Sequence, residues 1–164
     1  MRKIVKWGSA AAIAGAIAIQ FVRPARTNPA TVRERTLAAR LPVTADAAAV
    51  LDRACRDCHS NDTRWPWYSN VAPVSWFVID HVDHGRRHMN YSDWAQYPSD
   101  DADRLLKNIC ALARKDSMPL PSYLRAHREA RLSDADVAVL CDWTDGLLRH
   151  ERVKGQGSSV KGQE

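Results

Sequence analysis

A small all-α domain is the fold class this sequence predicts, on three observations. Apolar residues recur three and four apart in several segments downstream of residue 45. Those segments open on Thr44, Pro73, Ser99 or Ser133, residue types that start helices. No run alternates apolar and polar residues over the length of a strand.

At 164 residues there is room for one domain, and the basic charge sits outside it. Residues 1–40 hold eight Lys/Arg against one Glu, whereas residues 41–164 hold sixteen against eighteen Asp/Glu. The net +5 therefore gives no reason to expect a nucleic-acid partner. Arg2, Lys3 and Lys6 precede the uncharged run Trp7 to Val22, which Arg23 ends. That pattern is an export signal, with an uncleaved anchor in a bacterial inner membrane favoured because apolar residues continue past Ala16-Ile17-Ala18. Residues 1–23 are read as this signal-anchor or signal peptide, and 24–45, with Pro24, Pro29 and Pro42, as a linker with a helical turn near Val32 to Arg40. The domain is placed at 46–150 and a solvated, disordered tail at 151–164.

Within the domain, Thr44-Ala45-Asp46 starts a helix whose stripe of Val50, Leu51 and Ala54 runs into Cys55-Arg56-Asp57-Cys58-His59. A Cys-x-x-Cys-His run can hold haem covalently: two thiols bond the two porphyrin vinyl groups, and the adjacent histidine lies under the iron as a ligand. The alternatives fit less well. A thiol redox pair calls for a βαβ setting, and a zinc site for a second ligand pair, whereas Cys110 and Cys141 stand singly. Ser60 to Thr63 form a turn, and Trp65-Pro66-Trp67-Tyr68 is too aromatic for an ordinary loop. Trp65, Trp67, Tyr68, Trp76 and Tyr123 are candidate walls of the haem pocket. Pro73 opens a helix of about fifteen residues with Val74, Phe77, Val78 and His81 on one side. Ser92 is a candidate cap for a turn through Trp94.

A further helix starts at Ser99-Asp100-Asp101 and carries Leu105, Leu106, Ile109, Cys110, Leu112 and Ala113. Prolines 119 and 121 interrupt, a short helix is expected over Ser122 to Ala130, and Ser133 caps the last helix, with Val137, Leu140, Cys141, Thr144 and Leu148 at helical spacing. Cys110 and Cys141 are expected to pair, since exported disulfides persist.

The iron's second ligand is sought among Met118, His81, His84, His88 and His127. Met118, in Ser-Met-Pro-Leu-Pro, is favoured, because prolines hold that segment extended. His81 is the alternative; with His84 and His88 it shares a helix face, which is more often merely solvated. Helix, Cys-x-x-Cys-His, Met-Pro loop and closing helix follow one another as in a class I cytochrome c, here with long loops around one haem. Tyr68, Trp76, Arg86 and Tyr123 carry donors suited to haem propionates, and Pro66 and Pro73 are candidate acceptors for the far nitrogen of His59.

The runs Cys55-x-x-Cys58-His59-Ser60-Asn61, Thr63-x-Trp65-Pro66-Trp67-Tyr68-Ser69, Ala72-Pro73-Val74-Ser75-Trp76, His81-Val82-x-x-Gly85-Arg86, Met118-Pro119-Leu120 and Leu132-Ser133 resemble the haem-binding domain family of membrane-tethered bacterial c-type proteins. That resemblance implies one covalent haem c, an exported domain behind an N-terminal anchor, and electron transfer. The expectation is an electron carrier rather than an enzyme, served by the cytochrome c maturation machinery and by redox donor and acceptor proteins. A haem sensor or small peroxidase-like enzyme with an open sixth position is the alternative, and an interaction domain that keeps haem only for folding is the third reading.

Overall fold

The structure is a computed structural model that describes residues 2–159, with side chains over 4–150. Among the described residues it is all-helical, with no strand: α1 (Arg2–Ala18), α2 (Leu37–Arg40), α3 (Ala45–Ala54), α4 (Arg56–His59), α5 (Val74–His88), α6 (Ser99–Arg114), α7 (Pro121–Leu124) and α8 (Asp134–Ser159), with short 3-10 turns between them.

Caps fix where several helices begin. Thr44 Oγ1 accepts from the Ala47 amide, which satisfies one of the free donors at the start of α3, at a value of about 1 kcal/mol. At α8 the cap is reciprocal: the Asp136 amide donates to Ser133 Oγ, and the Ser133 amide donates back to Asp136 Oδ2. That amide, with the Ser133 hydroxyl and Arg53, holds the Asp136 carboxyl below its usual range. α6 begins where expected, but Pro98 occupies the cap position and Ser99 makes no cap; Asp100 and Asp101 instead place negative charge in the first turn. Asn90, not Ser92, caps the turn Tyr91–Gln96, by accepting from the Ser92 amide.

The core lies between α3, α6 and α8, where Val50, Leu51, Leu106, Ile109, Leu140 and Leu148 are buried together. Trp143 and Leu147 join it, two residues the spacing argument passed over, and the Trp143 indole donates to the Pro42 carbonyl. Cys110 and Cys141 are bridged, tying α6 to α8 across 31 residues of chain. Closing a loop of that size removes denatured-state entropy worth about 3–4 kcal/mol. A Cys110→Ser/Cys141→Ser variant is therefore expected to lose about that much unfolding free energy in a urea titration, with a somewhat steeper slope because the uncrosslinked chain opens further.

Three expectations need correction. Residues 24–45 are not a free spacer: Leu37 is 4% exposed within the core, Asn28 Nδ2 donates to the Thr63 carbonyl, and Arg86 donates to the Thr27 carbonyl. The folded unit therefore begins well before residue 46. On α5, Val74 and Phe77 face outward, and the buried side is Ser75, Ile79 and Val82, because the neighbours of α5 lie on that side. Finally, α8 continues to Ser159, past residue 151 where the tail was expected to start. Residues 160–164 lie outside the described residues.

Candidate haem site

Chain reversals at the ends of two helices shape a cavity of about 630 Å³, within the range of small-molecule and cofactor sites. α3 stops at Cys55, whose backbone leaves helical geometry, and α4 restarts at once, so Cys55, Cys58 and His59 all line one wall. α6 ends in a left-handed residue, Asp116 (φ 52°). The Ser117 and Met118 amides both donate to the Leu112 carbonyl. This hydrogen-bonded reversal turns the chain back on itself and brings Met118 and Pro119 to the same cavity. Leu105, Ile109, Leu112 and Leu120 supply much of the apolar lining.

α5 closes the cavity from the other direction, and Gly85 permits it. A Cβ at position 85 would lie 2.5 Å from the Cys58 carbonyl oxygen and 3.1 Å from Cys58 Cβ, so only glycine lets α5 lie this close to α4. Arg86 locks the approach, donating to the Ser60 carbonyl (2.7 Å) and to Thr63 Oγ1 (2.8 Å).

His59 is oriented from behind. Its Nδ1 lies 3.0 Å from the Met89 carbonyl, which accepts the ring N–H and leaves Nε2 with a free lone pair for the cavity. Neither Pro66 nor Pro73 serves as that acceptor; the chain supplies one thirty residues on, at the end of α5. Burial lowers the pKa of His59, which favours the neutral imidazole that a metal requires. Burial also pushes the Cys55 and Cys58 thiols up to about 11. A thiol redox pair needs the opposite shift.

Asp57, inside the motif, is a buried carboxylate that the sequence reading missed. Its Oδ1 accepts from the Arg64 backbone and guanidinium, its Oδ2 accepts from the Tyr123 hydroxyl at 2.8 Å, and its carbonyl accepts from Thr63 Oγ1. The spacing of Asp57 and Arg64 was the one available sign. Tyr123 lines the cavity and stacks on His127 at 4.2 Å, while the Tyr68 hydroxyl meets His127 Nε2 at 2.7 Å.

Of the expected pocket aromatics, Trp65, Trp67, Tyr68 and Trp76 do not line the cavity. Their indole N–H groups find acceptors in the N-terminal segment instead: half-buried Trp65 donates to Asn28 Oδ1 and half-buried Trp76 to the Val22 carbonyl. Trp67 is largely exposed. Arg86, committed to the Ser60 and Thr27 carbonyls and to the Thr63 and Asn28 side chains, is not placed to hold a propionate; Arg104 and Asn108, which sequence reasoning missed, line the cavity. His81, His84 and His88 also reach the cavity rim, with His81 Nδ1 bonded to the Phe77 carbonyl and His84 paired with His88 at the surface.

The sequence model of one family, described as a haem-binding domain, matches residues 14–146, most of the chain. The chain belongs to the haem-binding domain family. No curated protein and no solved structure matches it. The matched span takes in every residue around the cavity, and the residues there fit a haem: apolar walls, a histidine with one nitrogen anchored and the other free, a thioether side chain, and the Gly85 cradle. The Tyr91 hydroxyl, in the same wall, is buried against the Cys55 thiol.

Proposed function

We propose that this haem-binding domain is a mono-haem c-type electron carrier, attached through Cys55 and Cys58 and held on the extracytoplasmic side of a bacterial inner membrane by α1. The observation that carries the reading is the His59 ring, fixed by the Met89 carbonyl within the motif that positions both thiols. When bound, haem supplies a one-electron ferric–ferrous couple.

The chain's own residues decide how that couple is used. His59 Nε2 and the Met118 thioether, the latter carried by the loop that the Leu112 carbonyl pins at the cavity, would hold the iron. A thioether paired with an imidazole would raise the potential and leave no coordination position open, which would favour electron exchange over the binding of small substrates. The apolar walls keep water from the iron, and Tyr123, tied to Asp57, braces the wall beside the motif. Export fits the Cys110–Cys141 bridge and the apolar stretch Ile4–Phe21 of α1 and the turn after it, none of which is buried and whose mean hydropathy is 1.4. The redox donor and acceptor are proteins, and the cytochrome c maturation machinery makes the attachment.

The competing reading, a haem sensor or peroxidase-like enzyme, has an open or labile sixth position. A carbon monoxide difference spectrum separates the two. The ferrous wild-type protein is expected to show no carbon monoxide shift; ready binding would favour the competing reading.

A further inference from the structure

The α5 face turned away from the core carries an apolar surface. Trp67 is 78% exposed, Phe77 51%, Val74 46% and Val71 44%. These residues lie on the 3-10 turn Trp67–Asn70, the link after it and the first turn of α5, two elements that pack on each other.

The place of this patch is set by the end of the apolar N-terminal stretch. Gln20 bonds Ala72 in both directions, Nε2 donating to the Ala72 carbonyl at 3.1 Å and Oε1 accepting from the Ala72 amide at 3.0 Å. Two residues later the Val22 carbonyl accepts from the Trp76 indole at 2.7 Å. The stretch long and apolar enough to cross a membrane ends at Phe21. Val71 and Val74 thus flank the residue that is clamped to the final turn of that stretch. Phe21 and Val22, 81% and 60% exposed, continue the same apolar surface. An amphipathic ring such as that of Trp67 is at home where a bilayer's hydrocarbon gives way to headgroups.

We propose that this face, centred on Trp67, Val71, Val74 and Phe77, seats on the lipid surface from which α1 emerges, so that the domain lies against the membrane in one orientation instead of swinging on a tether. The occupant is the bilayer itself: the patch is continuous with the end of the spanning stretch and fastened to it by three hydrogen bonds. The inference rests on the reading of Ile4–Phe21 as a membrane span. One consequence concerns the haem cavity. Phe77 stacks on His81 at 4.0 Å, and His81 lines the cavity, so the seated face holds the cavity mouth beside the membrane and within reach of a donor embedded in it.

The test uses the full-length holoprotein in lipid nanodiscs of phosphatidylethanolamine and phosphatidylglycerol, with photoreactive benzoylphenylalanine in place of one residue at a time. The positions are Phe77, Ile13 within the span, and Lys107, exposed on α6, whose main packing partner is α8. After illumination, mass spectrometry counts lipid adducts. The expected result is strong lipid adduction at positions 13 and 77 and at least tenfold less at 107. Adducts at 13 with position 77 no higher than 107 would overturn the seating and leave the span intact. No adducts at 13 would remove the span and the seating together. Cross-linking of position 77 to a second copy of the chain would replace the lipid surface with a self-interface.

Discussion

Replacing Met118 with alanine is expected to lower the reduction potential by on the order of 0.1 V, a fraction of the roughly 0.8 V over which axial ligands set haem potentials. The ferrous variant should also gain carbon monoxide binding that the wild type lacks. The physical reason is the loss of the thioether that the α6 reversal delivers to the cavity. A His81→Ala variant provides the comparison. His81 lies at the rim of the same cavity with Nδ1 given to the Phe77 carbonyl, and with Met118 as the ligand its removal should change neither property. Potentiometric titration of the three proteins decides the matter: a fall with His81→Ala and none with Met118→Ala would move the distal ligand to α5.

Gly85→Ala should produce the largest structural effect of any single methyl group added to the domain. The new carbon would meet the Cys58 backbone, which cannot rotate aside as a flexible side chain would, so α4 and α5 must separate. Overpacking of this kind costs about 2–3 kcal/mol, which for a chain of this length lowers the melting temperature by several degrees. Because the displaced wall carries Cys58 and His59, the yield of haem-loaded protein should fall as well. Thermal unfolding, together with the ratio of haem to protein, measures both. Wild-type values for the pair would show that α5 does not need its close approach to α4.

The parts of the fold that were legible in the sequence are those determined by neighbours along the chain. α3, α5, α6 and α8 could be read from apolar spacing and from Thr44, Pro73 and Ser133, since a helix's register and its first-turn hydrogen bonds are local. The Cys-x-x-Cys-His motif was equally local. What could not be read depends on partners distant in sequence. The acceptor for His59 is Met89, and the acceptors that draw Trp65 and Trp76 away from the cavity are Asn28 and Val22. Periodicity also left open which side of α5 would be buried: Val74 and Phe77 satisfy a helical stripe as well as Ile79 and Val82 do, and only the placement of neighbouring elements chooses between them. The reversal at Asp116 was nearly invisible, because aspartate tolerates the left-handed region without requiring it.

All of these consequences presuppose that the chain holds its haem through Cys55 and Cys58. The most direct test is a haem stain of the protein after denaturing electrophoresis, following expression with a cytochrome c maturation system, beside a Cys55→Ser/Cys58→Ser variant. Covalent attachment predicts a stained wild-type band and an unstained variant. An unstained wild-type band, or a variant that stains as strongly as the wild type, would contradict it.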